Sequence, residues 1–283
     1  NYASDSLARR TSVVNTGTAF SPNRFTLWTY DDRNELASSR RYNGTVITNT
    51  ASPVTTQQFV FDYDAIGNRQ SYRGDGIEGA MSYTTNPLNQ YTATSQPTEE
   101  FEYDQDVVGE NDGNLTATGK HAYTYDGENR LIVVVPISGI QLPSDRKVTF
   151  TYDYLGRRVR KQAFPRSGNG WSTTPTLDRR FVYDGWNLLE ELNGLSNNTV
   201  LLKYTWGLDL SGQNGNNSGS VGVSPAGFHS AGGIGGLLAM LDTKGTPSPS
   251  DDRKFIYFYD ANGNVGQLIE CTSGLNFGTT QAR

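Results

Sequence analysis

Acidic side chains recur in this chain at spacings that resemble calcium-binding loops. Asp104 and Asp106 open the clearest example, and residues 260–264 repeat its beginning. A calcium loop of this kind takes oxygen ligands at its odd positions and closes with a bidentate glutamate at the twelfth. Val108 stands at the fifth position and Leu115 at the twelfth, and neither side chain supplies an oxygen. We therefore interpret both segments as turns and predict no metal site.

Residues that could act as catalytic bases are few. His121 precedes a predicted strand at 123–125, and His229 lies in a glycine-rich segment without acidic or cysteine neighbours. The glycine run at 232–236 lacks the Lys-Ser/Thr of a phosphate-binding loop and the spacing of a dinucleotide fingerprint, so we interpret it as a tight bend. No Gly-x-Ser-x-Gly motif supports a serine nucleophile. The sequence therefore predicts no enzyme and no cofactor.

Charge and composition narrow the classes of partner. The 283 residues carry a net charge of −5, and no run of lysine and arginine is long enough to follow a phosphate backbone. We therefore predict no nucleic-acid partner, and we interpret the basic stretch at 157–161 as a solvated strand. The single cysteine, Cys271, excludes an intrachain disulfide framework. The apolar stretch at 131–135 ends at Pro136, and no segment is long enough to predict a membrane span.

Many of the aspartates lie in a short repeated motif that begins with tyrosine and aspartate. The Tyr-Asp dipeptide occurs seven times, and in most copies a loose spacer and then Gly-Asn, Asn-Arg or a similar pair follow it. Tyr83-Thr84 and Tyr204-Thr205 resemble degenerate copies. Repetition every few tens of residues indicates a repeat array. The residues that we predict to form the structural repeat are Tyr63, Asp64, Gly67, Tyr125, Asp126, Tyr152, Asp153, Gly156, Tyr183, Asp184, Tyr259, Asp260 and Gly263.

The segments that lead into the Tyr-Asp pairs alternate as β-strands do. Val148, Phe150 and Tyr152 share one face, and two threonines and Asp153 lie on the opposite face. The aspartate then begins a turn, because its carboxylate can accept backbone N–H groups and a glycine a few residues on can take positive φ. Each copy is therefore predicted as a β-hairpin, and the whole as an all-β, curved antiparallel sheet built from repeats.

Two segments carry expectations of their own. The best place for a short helix is around 233–241. Residues 255–259 are apolar on both faces of a predicted strand, which indicates a strand covered on both sides.

The spacing of the repeat copies divides the chain into three parts. We predict an array of Tyr-Asp hairpins over residues 1–206. Residues 207–254 form a Gly-, Ser-, Asn- and Pro-rich insertion that contains the Gly-Gly-Ile-Gly-Gly segment. Residues 255–283 hold the last hairpin and a C-terminal tail.

The repeated phrases resemble the YD-repeat, or Rhs (rearrangement hot spot), family over roughly residues 29–270. Segments 61–69 and 151–158 are similar to the family's repeat, and 204–212 with 231–238 resembles the approach to its conserved core. The resemblance implies part of a hollow β-shell. In bacterial Rhs and Tc toxin proteins such a shell encloses a C-terminal toxin, and in the more distant animal teneurins it carries adhesion modules. The family's Arg-Tyr-Tyr-Asp-Pro segment does not occur here, so we expect a fragment upstream of the core's end.

From this resemblance we expect a non-enzymatic scaffold, secreted or displayed at the cell surface by a bacterium, that encloses or presents a toxin or other effector. Its partners would be further YD repeats and a C-terminal effector of a larger parent chain. The alternative is an extracellular binding or adhesion module that recognises carbohydrate or a surface protein through an aromatic sheet face. The first hypothesis predicts many more YD units in the parent gene, and the second predicts glycan binding that depends on outward aromatic residues.

Overall fold

The computed structural model describes residues 2–17, 20–74, 79–104, 112–137, 142–210, 231–260, 263–271 and 280–281. Contacts divide the chain into two compact units, Asn1–Gly119 and Lys120–Arg283. The described residues of both units are almost entirely strands and turns. The predicted class, an all-β protein built from antiparallel hairpins, is therefore confirmed.

The first unit is a run of strands in which each is antiparallel to the one before it. Its described strands are β1 (Tyr2–Ser4), β2 (Arg10–Asn15), β3 (Arg24–Tyr30), β4 (Leu36–Asn43), β5 (Pro53–Tyr63), β6 (Arg69–Gly74), β7 (Met81–Thr85), β8 (Tyr91–Ser95), β9 (Thr98–Tyr103) and β10 (Leu115–Thr118). Consecutive pairing makes each connection short and local, as a hairpin array requires.

The second unit repeats this order, except that β14 pairs with both β15 and β16. Its described strands are β11 (His121–Tyr125), β12 (Leu131–Pro136), β13 (Arg146–Tyr152), β14 (Arg158–Ser167), β15 (Gly170–Trp171), β16 (Leu177–Asp184), β17 (Asn187–Asn193), β18 (Thr199–Trp206), β19 (Leu237–Asp242), β20 (Arg253–Tyr259), β21 (Val265–Glu270) and β22 (Thr280–Gln281). Within the described residues these strands pair with their neighbours in antiparallel orientation.

A shift in strand register recurs at the aromatic anchor of the hairpins. It lies at Thr29/Tyr30, Asp62/Tyr63, Thr84/Thr85, Thr124/Tyr125, Thr151/Tyr152, Val182/Tyr183, Thr205/Trp206 and Phe258/Tyr259. Such a β-bulge adds one residue to one strand and increases the local twist. Its recurrence therefore gives these eight described hairpins the same distortion where the strand enters the turn.

The bulges also correct the position of two repeat copies. The sequence pattern indicated Tyr83 and Tyr204 as the repeat tyrosines of these copies. The bulges instead identify Thr85 and Trp206, two residues later in each case, as the equivalent positions. The error has a simple cause, because residues two apart on a strand share a face. Alternation alone cannot distinguish the last inward residue from the one before it.

Two further expectations are wrong. No helix forms over 233–241 in the described structure: Gly232, Gly233 and Gly235 have φ values of 123°, 82° and 78°, outside the right-handed helical region, and β19 follows them. The strand at 255–259 is covered on one face only. Phe255 is 4% exposed, whereas Ile256 and Phe258 on the opposite face are 41% and 47% exposed.

Few side chains are fully buried. Within the described ranges the buried hydrophobic side chains are Val13, Phe25 and Tyr42 in the first unit and Phe255 in the second. Packing occurs largely between neighbouring strands, as in the stacked rings of Phe25 and Tyr42, whose centroids are 5.2 Å apart. Cross-strand pairs of this kind are the main packing unit of a sheet. No described helix is long and apolar enough to cross a membrane.

Candidate functional site

The repeated turns form the candidate functional site, because they use the aspartate in one consistent way. Asp153 Oδ1 accepts the N–H of Leu155 at 3.0 Å and that of Arg157 at 2.9 Å. The backbone closes around this carboxylate, since the Gly156 N–H donates to the Asp153 carbonyl at 3.0 Å. Gly156 has a φ of 78°, which glycine adopts without a Cβ clash. The same carboxylate-to-backbone bonds occur at Asp5, Asp31, Asp64 and Asp126.

The residue four positions after the aspartate often completes the turn with its side chain. Arg157 Nε donates to Asp153 Oδ2 at 2.7 Å, and Arg130 Nε donates to Asp126 Oδ2 at 2.8 Å. Burial alone would raise the pKa of the Asp153 carboxyl. The Arg157 guanidinium and the backbone N–H donors outweigh burial and hold that pKa below its usual range. Asp153 is therefore an ionised structural acceptor, unlike a general acid or base whose pKa lies near the working pH.

In the described structure, six of the turns also donate a side-chain hydrogen bond forward to the turn of the next hairpin. Arg130 Nη1 donates to the Asp153 carbonyl at 3.2 Å, and Arg157 Nη1 donates in turn to the Gly185 carbonyl. In the first unit the forward pairs are Arg9 to Asn34, Arg33 to Asp64, Asn68 to Asn89 and Gln90 to Gly113. We call these linked turns, which begin at Asp5, Asp31, Asp64, Asn86 and Asp104 in the first unit and at Asp126, Asp153 and Asp184 in the second, the turn ladder of each unit.

The repeat tyrosine bonds backward to the preceding turn. Tyr152 donates its hydroxyl to the carbonyl of Leu131, the residue that follows that turn, at 2.9 Å. The guanidinium of Arg130 lies 5.4 Å from the centre of the Tyr152 ring, within the range of a cation–π contact. The equivalent donors and carbonyls are Tyr30 to Arg10, Tyr63 to Leu36, Tyr103 to Tyr91, Tyr183 to Arg158 and Tyr259 to Leu237. Burial raises the pKa of the Tyr103, Tyr183 and Tyr259 phenols, so these hydroxyls stay protonated donors at neutral pH.

Two turns keep these bonds with different residues. Asn86 replaces the aspartate, and its Oδ1 accepts the N–H groups of Leu88 and Gln90 at 3.0 Å each. Trp206 replaces the tyrosine, and its Nε1 donates to the Leu188 carbonyl at 2.8 Å. Sequence reasoning missed both because it relied on the identity of the Tyr-Asp pair. The signal that would find the first is an oxygen acceptor followed four residues later by a side-chain partner.

The copy at Asp184 departs from the pattern. β16 runs through Asp184, which pairs with Asn187 across a two-residue loop in which Gly185 has a φ of 56°. Asn187 is 5% exposed and donates through Nδ2 to the Ala231 carbonyl at 2.6 Å, so this hairpin is also tied to a later segment. Ala231 immediately precedes the glycine run at 232–236, which folds as the expected tight bend, since the Gly236 N–H donates to the Gly233 carbonyl at 3.0 Å.

The other candidate residues form no catalytic arrangement within the described structure. His121 lies in β11 with its ring centroid 6.3 Å from that of Tyr123, while His229 and Asp106 lie outside the described residues. Asp104 Oδ1 accepts the Gly113 N–H at 2.8 Å, as a turn residue does. In the described ranges, no group of three or more His, Cys, Asp or Glu side chains could hold a metal ion.

Comparison with known proteins gives two curated relatives from Bacillus. The Bacillus subtilis (strain 168) protein named tRNA nuclease WapA is 28% identical over 239 residues, which is 83% of this chain. The Bacillus spizizenii protein named tRNA3(Ser)-specific nuclease WapA is 30% identical over 182 residues, or 63% of this chain. The chain spans only 8% and 6% of the lengths of these relatives. No family model matches the chain.

Comparison with solved structures gives matches that extend over almost the whole of this chain. The crystal structures of TcdB2-TccC3-TEV and TcdB2-TccC3-Cdc42 align with 99% of this chain and 15% of the matched chain, at 12% identity in both cases. Their TM-scores are 0.34 and 0.37.

Proposed function

We propose that the chain is a scaffold: a segment of a YD-repeat β-shell from a secreted or surface-displayed bacterial protein, which encloses or presents a C-terminal effector. The observation that carries the proposal is the turn ladder. Among the described residues, six turns donate a side-chain hydrogen bond forward to the next turn, and six repeat tyrosines donate backward, as between Arg130, Tyr152 and Asp153. A hairpin of this kind forms all of its hydrogen bonds only when another hairpin lies on each side of it. This requirement is typical of a sheet that is extended by repeated units.

The sequence relatives support the same proposal. Similarity covers 83% of this chain but 8% of the protein named tRNA nuclease WapA, which is what one segment of a long repeat protein would give. The two Bacillus names specify nucleases, whereas the described turns here hold their carboxylates as local acceptors. We therefore infer that this segment is not itself a nuclease and that an effector activity of the parent protein lies outside it.

Protease protection in the full parent protein tests the enclosing role. The C-terminal part is expected to be cut much more slowly in the intact parent than when it is expressed alone at the same concentration. Mild urea that opens the sheet should bring the two cleavage rates together. Equal cleavage rates in native buffer would contradict an enclosing shell.

A cleavage assay with tRNA tests the non-enzymatic part of the proposal separately. The 283-residue chain is expected to leave tRNA intact, with and without divalent cations. His121→Ala provides the control for any weak activity, because His121 is the histidine that the described structure contains. Cleavage by the chain that His121→Ala abolishes would show that the segment is an enzyme.

A further inference from the structure

One face of the second unit carries two like charges side by side. Lys161 of β14 is the direct cross-strand partner of Arg179 of β16, so both side chains leave the same face at adjacent positions. Like charges placed directly opposite each other destabilise a sheet. In the described part of the chain neither side chain forms an ion pair within 4.0 Å. The fold therefore tolerates a local repulsion at this point.

The adjacent cross-strand pair shows how the same sheet neutralises such a repulsion. Arg160 pairs directly with Arg180 on the opposite face. Between them lies the carboxylate of Asp178, which is 3% exposed. It accepts two bonds from Arg160 at 2.8 and 2.6 Å and lies 3.6 Å from Arg180. The Lys161–Arg179 pair has no counterpart of Asp178 in the described structure.

A third cation enlarges this positive region. The Arg158 guanidinium lies between two rings of the same face, 5.6 Å from the centre of Phe150 and 4.9 Å from that of Phe181. Glu191, opposite Phe181, is one carboxylate on this face, and it already accepts the Tyr204 hydroxyl at 2.9 Å. We call the surface formed by Phe150, Arg158, Lys161, Arg179 and Phe181 the basic patch.

The same face continues from the basic patch into a cavity whose lining is mostly apolar and includes the charged residues Asp242 and Arg253. Phe181, Glu191 and Leu202 are successive cross-strand partners in one row, which places Leu202 about 10 Å from Phe181. Leu202 lines a cavity of about 420 Å³, within the range of roughly 300–1,000 Å³ that small-ligand sites occupy. Its other lining residues are Tyr204, Met240, Asp242, Arg253, Phe255, Tyr257, Val265 and Leu268. We call it the aromatic cavity.

We propose that the basic patch and the aromatic cavity together bind an extended peptide that carries acidic residues next to an apolar one. The acidic side chains would neutralise Lys161 and Arg179, and an apolar side chain about four residues further along, on the same face of the extended peptide, would fill the cavity. This inference rests on the proposed function, because the peptide would be a segment of the parent chain that the β-shell holds against its surface.

The composition of the face favours a peptide over a nucleic acid. Proteins that bind single strands stack successive bases on open aromatic faces. Here Arg158 already lies over both Phe150 and Phe181. The chain as a whole carries a net charge of −5, which repels a long polyanion but leaves a local attraction for one or two carboxylates.

Fluorescence anisotropy with the 283-residue chain tests the proposal. The labelled glutamate–leucine peptide carries two glutamates and then a leucine, alternating with serines, so that these three side chains share one face when the peptide is extended. The double variant Lys161→Gln/Arg179→Gln is expected to bind about five- to tenfold more weakly at low ionic strength, since it loses two charge contacts. Lys147→Gln/Lys203→Gln removes the same charge from the opposite face and should bind as the parent does. The same peptide with serine in place of the leucine should bind more weakly than the glutamate–leucine peptide, because the cavity then receives no apolar side chain.

Stability measurements and a competitor separate the outcomes. The Lys161→Gln/Arg179→Gln variant should unfold at an unchanged or higher urea concentration, because a repulsion has been removed. Equal weakening by both double variants, or a lower unfolding midpoint in the patch variant, would overturn the proposal. So would an oligothymidylate that binds the same patch more tightly than the peptide. A failed peptide test leaves the protease-protection result untouched, so the two proposals fail separately.

Discussion

At the scale of single residues, the repeat aspartate acts as a structural acceptor. Asp153 receives two backbone N–H groups and a guanidinium, and this binding lowers its pKa although burial acts in the opposite direction. The position of its side-chain oxygen stabilises the turn as well as its charge, because the uncharged Asn86 accepts the same two backbone hydrogen bonds. The charge and the geometry of the turn can therefore be separated by substitution.

Replacement of Asp153 separates these two contributions. Asp153→Ala removes every side-chain acceptor and should destabilise the chain by about 0.5–2 kcal/mol, the cost of losing a comparable cap. Asp153→Asn keeps the acceptor that Asn86 provides naturally and should cost less. Urea unfolding at pH 7 measures both. Equal losses for the two variants would show that the charge, and not the turn geometry, stabilises this hairpin.

The same carboxylate predicts an acid dependence of stability. Because the folded-state pKa of Asp153 lies below the ordinary value of 3.8, its stabilisation is complete above that value. It is lost as the pH falls through the lower folded-state pKa. The unfolding free energy of Asp153→Asn should therefore fall less steeply between about pH 5 and pH 2 than that of the parent. Parallel pH profiles for the two proteins would contradict the assignment.

Two glycines of equivalent turns predict opposite responses to a methyl group. Gly156 has a φ of 78° and open space around the Cβ position, whereas Gly127 lies in the Asp126 turn outside the positive-φ region, also in open space. Gly156→Ala should destabilise by about 1–2 kcal/mol through backbone strain alone. Gly127→Ala should be neutral or stabilise by up to about 1 kcal/mol. Thermal or urea unfolding measures both, and a neutral Gly156→Ala would show that the turn differs from the one described.

At the scale of elements, a hairpin in this protein is joined to its neighbours by side chains as well as by strand pairing. Arg130 extends forward over the ring of Tyr152, and the Tyr152 hydroxyl reaches back to the Leu131 carbonyl. The register shift at Thr151/Tyr152 marks where the tyrosine enters this arrangement. The repeating unit is therefore a hairpin together with the side-chain contacts that it makes to the turn before it and the turn after it.

The backward bond predicts a difference between two tyrosines of one turn. Tyr152→Phe leaves the Leu131 carbonyl without this donor and should destabilise by about 0.5–1.5 kcal/mol. Tyr154, 86% exposed in the same turn, provides the matched control, and Tyr154→Phe should stay within about 0.5 kcal/mol of the parent. Chemical denaturation of both variants tests the prediction. Equal stabilities would remove the Tyr152 hydroxyl from the connection between hairpins.

The sequence predicted the hairpins but only part of what connects them. Alternation and the Asp–Gly spacing were enough to predict strands and turns at Asp64 and Asp153, because both signals are local. The turn at Asp5 was missed since no tyrosine precedes it, and the one at Asn86 since neither residue of the pair is present. The forward bonds could not be predicted, because they depend on the register between hairpins more than twenty residues apart.

At the scale of the whole molecule, the two turn ladders help to explain how a chain with few fully buried side chains among its described residues holds its fold. Its units gain order from strand pairing and from turns that are linked between successive hairpins. This organisation leaves sheet faces accessible, including the basic patch and the aromatic cavity. It also leaves outer strands whose backbone groups can pair with another chain.

Self-association through an outer strand is the expected behaviour of the isolated chain. Within the described residues β1 pairs with β2 alone, and its three residues, Tyr2, Ala3 and Ser4, are exposed. Sedimentation velocity should show dimers or larger species that increase with protein concentration, because an open edge is a template for further strands. Ala3→Lys should shift the population towards monomer, since an edge lysine opposes pairing. Leu7→Lys adds the same charge in the adjoining turn, where the side chain is 62% exposed, and should leave the association unchanged. If both variants weaken association equally, general charge repulsion is responsible and β1 is not the pairing edge.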